Sequence, residues 1–275
     1  EACASDLKQV RLALRLMGVL KIERKLQDRL FQEIQDSLDN ELNYQIEAQN
    51  LQVARTFHQA LDPKVVIPQV YTDYSSRHVL TLSFEQGASI ETARTWSQET
   101  RNQLGRRLLR AIGQEIFYLK RFHCDPHPGN FAFREDGSVL IYDYGGVKTL
   151  STEVVENFKA LVHAARAEDF QTMEDYLLRL NSLSEKDKFP HELYAAWVEI
   201  FTRPLVTHYD FAANSSHHDA MELVKPSLKY WDLFKPSPET LMVNRTISGQ
   251  YWNLINLKVH DNLNDVLDEL IPPRS

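Results

Sequence analysis

Cysteine is nearly absent from this 275-residue chain, with Cys3 and Cys124 the only two. Two thiols cannot staple a small secreted fold, and such sparse use suits a reducing compartment. No apolar run approaches the ~18 residues that a membrane span requires, and the first residues lack the basic-then-apolar pattern of a secretion signal. Positive charge is also in deficit: 31 Lys and Arg against 38 Asp and Glu leave a net charge of −7. A general nucleic-acid binder needs a basic face for phosphates, so no nucleic-acid partner is expected. Internal repeats and low-complexity tracts are missing too. What is present, 43% hydrophobic and 25% charged residues, is the composition of a globular protein. The expectation is a soluble, acidic, cytoplasmic chain, and a first residue of Glu1 rather than Met suggests part of a longer one.

The apolar pattern changes period along the chain. Residues 6–20 read as a helix, and a longer one runs from about Glu23 to Leu61, where Leu26, Leu30, Ile34, Leu38 and Leu42 form one stripe. Asp62-Pro63 ends it, because proline cannot continue the hydrogen-bond ladder. Val65 to Tyr71 and His78 to Phe84 read as two strands joined by a polar turn, the first an edge strand because of Pro68. Thr95 and Gln98 form a capping-box pattern that opens a helix to about Arg121, with Leu104, Leu108, Ile112, Ile116 and Leu119 inward. Arg106, Arg107 and Arg110 fall on its outer face and read as solvated. A Pro- and Gly-broken stretch, 123–130, precedes two short runs, Phe131 to Arg134 and Val139 to Tyr142, separated by the hairpin signal Asp136-Gly137. From Ser151 onward the pattern is helical. Segregated strands and helices make the fold class α+β.

Chemistry concentrates between Phe122 and Val147. His123, Asp125 and Asn130 reproduce the H-x-D-x-x-x-x-N spacing of a kinase catalytic loop, and Asp143-Tyr144-Gly145 stands where D-F-G would follow. Phosphoryl transfer from ATP needs metal ions to neutralise phosphate oxygens, and Mg2+ prefers one or two carboxylates plus phosphate and water. Asp143, at the end of an apolar strand, is placed to hold metal, and Asn130 can add a neutral oxygen. Asp125 can accept the hydroxyl proton or orient the nucleophile. A hairpin between Asn130 and Asp143 brings both ligands back to one point. Turn capping by Asp125 and Asn130 is the bland alternative, but it does not require a second Asp at a strand end.

His-Cys-Asp-Pro-His-Pro-Gly-Asn-Phe (123–131), Tyr-Asp-Tyr-Gly-Gly (142–146) and Glu41-Leu-Asn-Tyr-Gln-Ile-Glu47-Ala-Gln-Asn50 together resemble the UbiB/AarF (ADCK) family of atypical kinases over about residues 1–165. The resemblance implies a protein-kinase-like fold, with residues 1–87 a partial N-lobe and 88–275 a helical C-lobe. It implies Asp125 as catalytic Asp, Asn130 and Asp143 as metal ligands, and Glu41 or Glu47 as partner of a nucleotide-binding lysine. Six residues apart on a helix, the two glutamates cannot face one point; Glu41 is preferred for the lysine and Glu47 as a second polar contact. ATP and Mg2+ are the implied cofactors. The implied role is ATP-dependent phosphotransfer or ATP hydrolysis supporting ubiquinone or prenyl-lipid biosynthesis, with quinone-biosynthesis proteins as partners and peripheral contact at the inner membrane.

The family's lysine strand, alanine-rich nucleotide loop and K-x-G-Q segment have no counterpart in this sequence, so these residues alone are expected to bind ATP poorly. Asn43, Ser83 and Tyr144 replace the family's usual Asp, Glu and Phe. Two rival readings remain: a pseudokinase scaffold, and a small-molecule phosphotransferase of the aminoglycoside or choline type, which shares the loop but not the Glu41–Asn50 signature. His217-His218-Asp219 reads as a surface loop rather than a metal site, Cys124 as a packing residue, and Trp197, Trp231 and Trp252 as helix anchors.

Overall fold

The computed structural model describes residues 43–206, 208–213 and 216–273. The helix expected over 6–20, and the part of the next one before Asn43, lie outside the described residues, as does Glu41. Helix α1 (Tyr44–Leu61) opens on Asn43, whose side chain accepts from the Gln45 N–H, and closes at Asp62. Proline at 63 accounts for the stop.

The expected strand pair of residues 65–84 forms only in part: Tyr71 N donates to Thr81 O at 2.9 Å and Ser83 N to Gln69 O at 2.8 Å, but no continuous ladder joins the two runs. Strand β1 (Val65–Val66) pairs instead in parallel with β4 (Val139–Ile141), which is antiparallel to β3 (Phe131–Phe133). The second run makes only isolated bridges, Val70 to Leu82 and Ser76 to Val79. One cause is visible: Pro68 brings no N–H to a ladder, and although Leu80 and Leu82 pack on the core, Val79 and Phe84 of the second run are 54% and 91% exposed. The hairpin of β3 and β4 matches the sequence expectation. Gly137 takes φ +84° in its turn, a conformation that suits glycine, and Arg134 N donates to Ser138 O at 3.0 Å.

Helix α2 (Ile90–Ala93) leads to α3 (Gln98–Gln114). Its cap is Ser97, accepting from Thr100 N at 3.1 Å, rather than Thr95, whose hydroxyl donates back to Thr92 O. Leu104, Leu108 and Ile112 face the core as expected. The helix then widens into a π-turn, Glu115–Leu119, closed by Lys120 at φ 56°. Strand β2 (Arg121–His123) follows and pairs antiparallel with β5 (Val147–Thr149).

Helices α4 (Thr152–Arg166), α5 (Phe170–Arg179), α6 (His191–Val206), α7 (Ser216–Ser227), α8 (Pro238–Asn256) and α9 (Asn264–Leu270) complete the chain, with a small ladder of β6 (Tyr209–Asp210) and β7 (His260–Asp261). One core spans α1, the hairpin, α3 and the C-terminal elements from α8 onward. A smaller one joins Ala164, Met173, Phe189, Tyr194 and Val198. Trp197 stacks on Phe201 and donates to Ser227 Oγ, whereas Trp231 and Trp252 are 69% and 50% exposed, so they are not the buried anchors the sequence suggested. The His218-Asp219 segment is helical rather than a loop, and Asp219 pairs with Arg203 at 2.7 Å.

The arginines of α3 are not simply solvated. Arg106 pairs with Asp261 at 3.1 Å and with Asp265, and Arg110 pairs with Glu269 at 2.6 Å. Arg107 grips Asp62 at 2.7 Å and also donates to Gly137 O, joining the end of α1 to the hairpin turn. Burial alone would raise the Asp62 carboxyl; the Arg107 hydrogen bond overrides it and holds its pKa below the ordinary value. Arg107→Ala is expected to cost about 1–3 kcal/mol in urea denaturation, since it removes charge-assisted bonds to two part-buried acceptors. A loss below about 0.5 kcal/mol would return Arg107 to the solvated role of an ordinary surface ion pair.

Candidate active site

The loop between β2 and β3 is held at both ends. Cys124 N donates to Gly146 O at 2.8 Å, continuing the β2–β5 ladder. Tyr142 N donates to Asn130 O at 3.0 Å, continuing the β3–β4 ladder. The hairpin therefore sets Asn130 opposite Tyr142 and leaves Asp143 as the next residue. Within the loop, a 3-10 turn (Pro128–Asn130) forms, and His127 Nδ1 accepts from Gly129 N at 3.0 Å. Asn130 Nδ2 donates to the Asp125 carboxylate at 2.9 Å and to Asp125 O at 3.2 Å. That bond directs the amide oxygen of Asn130 away from Asp125. Asp143 Oδ1 accepts from Gly145 N at 2.7 Å.

Helix α1 lays two side chains on the Asp143–Gly145 turn. Asn50 is buried, donates to Tyr144 O at 2.8 Å, and accepts from Arg121. Glu47 accepts from the Tyr144 N–H, and burial, followed by repulsion from Asp143, pushes its pKa up. A methyl group on Gly145 would lie 3.3 Å from Asp143 Oδ1 and 3.6 Å from Glu47 Oε2, which fixes how closely the two carboxylates share this turn. Of the two glutamates singled out in the sequence, Glu47 is therefore the one described here, and it stands against Asp143.

Asp143 and the Asn130 amide oxygen are hard oxygen donors of the kind a magnesium ion selects. The opposed carboxylates of Glu47 and Asp143 are a charge arrangement that a cation would relieve. Among the described residues no group of three or more His, Cys, Asp or Glu side chains gathers as a metal site. An ion that takes its remaining ligands from phosphate and water needs no such group.

Beneath the turn lies a polar cluster that the sequence did not disclose. Glu115, the first residue of the π-turn, is 0% exposed. Its carboxylate pairs with His58 Nε2 at 2.9 Å, accepts from Tyr144 Oη at 2.6 Å, and accepts from His123 N at 3.3 Å. Burial would raise Glu115, but its hydrogen bonds to His58 and Tyr144 help outweigh it, and the carboxyl is held below its ordinary range. Burial, with the Glu115 charge, drives Tyr144 well up, so its proton stays. His123 is buried with neither ring nitrogen bonded and its pKa pushed down by burial; it is a neutral packing ring against Phe131 and Tyr144. Cys124 is likewise buried, with its thiol pushed up to about 11 by desolvation, in keeping with packing rather than reactivity. One signal for this cluster existed: Glu115 falls between Ile112 and Ile116 on the apolar face, and a charge there demands a buried partner.

The C-terminal helix α8 also reaches the loop. Gly249 packs so closely on Pro126 that a methyl group there would sit 2.1 Å from the proline ring. Asn253 donates to Pro126 O at 3.1 Å, and Arg245 stands 3.5 Å from Asp125 Oδ1.

Comparison with known proteins gives the family and the fold. Residues 1–177 match the model of the family described as the ABC1 atypical kinase-like domain. The mitochondrial atypical kinase COQ8B of Danio rerio is 26% identical over 254 residues, covering 88% of this chain and 40% of the relative. Its counterpart in Rattus norvegicus is 26% identical over 275 residues, covering 98% and 51%. The chain thus spans about half the length, or less, of these relatives. The solved complex of Rv3197 with erythromycin from Mycobacterium tuberculosis superposes with a TM-score of 0.68 at 18% identity, covering 98% of this chain and 68% of that one. The fold is α+β and protein-kinase-like.

Removing the Glu115 carboxylate is expected to leave His58 and Tyr144 unpaired in the core. Glu115→Ala should cost about 3–5 kcal/mol, the usual range for breaking a buried pair. Because the folded carboxyl is held below its unfolded pKa, its contribution is present above that unfolded value and is lost as pH falls through the folded one. The stability gap between wild type and Glu115→Gln, followed by denaturation across pH 3–7 at about half-unit steps, should therefore close toward acid. A gap that stays constant would mean the carboxylate is not the stabilising species.

Proposed function

The chain belongs to the ABC1 atypical kinase-like family, and on that premise we propose that it performs ATP-dependent phosphotransfer or ATP hydrolysis at the Asp125–Asn130–Asp143 site. The observation that carries the reading is the hairpin register, which sets Asn130 opposite Tyr142 and so brings the loop bearing Asp125 up to Asp143. Residues 1–87 are taken as the nucleotide-side lobe and 88–275 as the helical lobe. Bound magnesium, held by Asp143 and the Asn130 amide oxygen, would neutralise charge on the nucleotide phosphates. Asp125, steadied by Asn130, orients the acceptor hydroxyl or water and receives its proton as the acceptor oxygen bonds to the γ-phosphorus. Glu47, beside Asp143, is the carboxylate on α1 positioned to receive an ammonium group; Glu41 remains the alternative that the family signature offers.

The family's implied role extends the proposal to ubiquinone or related prenyl-lipid biosynthesis, with proteins of that synthesis as partners. Cytoplasmic residence with peripheral contact at the inner membrane accords with such substrates. Two relatives are mitochondrial by name, and no described helix is long and apolar enough to cross a membrane.

In a full-length protein, Asp143→Asn is expected to abolish magnesium-dependent nucleotide binding, measured by calorimetry with and without the metal. Asp125→Asn should leave that binding intact and lower ATP turnover by about 10²–10⁴-fold, the range for losing a positioned base. Unchanged binding and turnover in both variants would refute the assigned site, and tight nucleotide binding without turnover in the wild type would favour a binding scaffold.

A further inference from the structure

Transfer of a phosphoryl group spreads negative charge over its equatorial oxygens, and enzymes that perform it place a cation there. The loop from His123 to Phe131 contains no Lys or Arg. Of its neighbours, Arg121 is engaged with Asn50 and Arg134 with Glu85 and Gln86 O, while Lys148 stands on β5 opposite Phe122, before the loop begins. The residue two positions after Asp125 is His127, whose Nδ1 is turned back to Gly129 N.

Helix α8 supplies what the loop lacks. Arg245, Gly249 and Asn253 recur every four residues and so share one face. The Gly249–Pro126 contact and the Asn253–Pro126 hydrogen bond seat that face on the loop. The same seating carries the Arg245 guanidinium to 3.5 Å from Asp125. Arg245 is 57% exposed and Asp125 47%, so most of the guanidinium's five donors face open space beside the carboxylate.

We infer that Arg245, delivered by α8, is a catalytic residue that binds the phosphoryl group as it passes to the acceptor held by Asp125. The inference rests on the phosphotransfer reading above. In the step it serves, the acceptor oxygen bonds to the γ-phosphorus and the bridging bond to the β-phosphate oxygen breaks. ADP departs with that electron pair, and the acceptor's proton goes to Asp125. Arg245 holds the equatorial oxygens throughout and exchanges no proton.

The test compares wild type, Arg245→Ala and Arg245→Lys in a full-length protein. Three quantities are read: ATP turnover, affinity for MgADP, and affinity for MgADP with aluminium fluoride. Loss of a contact made only in the transition state lowers kcat and transition-state-analogue binding together. Arg245→Ala is expected to lower both by about 10²-fold or more, with MgADP affinity held within about threefold. Arg245→Lys should recover only part, since a point charge cannot span two oxygens. Unchanged melting temperatures would separate this from unfolding. An active wild type matched by Arg245→Ala, or parallel losses in kcat and MgADP affinity, would overturn the role of Arg245 alone. A wild type that neither turns over ATP nor binds the fluoride complex would overturn the phosphotransfer reading and this inference with it.

Discussion

A single buried carboxylate ties the elements of this site together. Glu115 sits at 0% exposure, where an ionised group survives only if several donors surround it. Each donor comes from a different part of the chain: His58 from α1, the His123 N–H from β2, and the Tyr144 hydroxyl from the turn after β4. None of the three can be withdrawn without exposing the others to an unpaired charge. The π-turn that begins at Glu115 alters the helical register at this point, as such turns often do at functional positions. The outcome is that the turn bearing Asp143 has its aromatic residue fixed from below, while Asn50 fixes its backbone from the side.

Above that anchor the energetic logic reverses. Glu47 and Asp143 are like charges sharing one turn, and Glu47 is shifted toward its neutral form by burial and by its neighbour. Among the described residues, the backbone N–H groups of Tyr144 and Gly145 offset part of this repulsion, whereas the Glu115 cluster is almost fully compensated. The two carboxylate environments thus differ in kind: one is satisfied by donors from three elements, and the other keeps two like charges on one turn.

The parts legible in the sequence were those fixed by local spacing. Asp136-Gly137 announced the hairpin, and its register sets Asn130 opposite Tyr142, one residue before Asp143; that placement needed no knowledge of distant contacts. The strand pair over 65–84 is only partly realised, because pairing partners are chosen globally: its far ends meet at Val70 and Leu82, while β1 finds β4, 74 residues away by register from Val65 to Val139. Arg106, Arg107 and Arg110 looked solvated because their carboxylate partners are remote in sequence. His58 and Glu115 lie 57 residues apart, a separation at which no local pattern links them, although each interrupts an apolar helix face. Ser97 displaced Thr95 as the cap because two candidate hydroxyls stood within one turn, a distinction only the backbone resolves.

The C-terminal third is part of this site in a physical sense that motif reading does not capture. The family match ends at residue 177, yet α8, which begins at Pro238, touches the loop at Pro126 and Asp125. The contact depends on a missing side chain at Gly249 and on the backbone carbonyl of Pro126, neither of which leaves a recognisable spacing. A loop rich in proline has few N–H groups of its own with which to hold its shape. Asn130 braces Asp125 from within the loop, and α8 closes the loop from outside. Any displacement of α8 would therefore be felt first at Pro126 and then at the adjacent carboxylate of Asp125, so the geometry of the loop and the seating of the helix cannot vary independently.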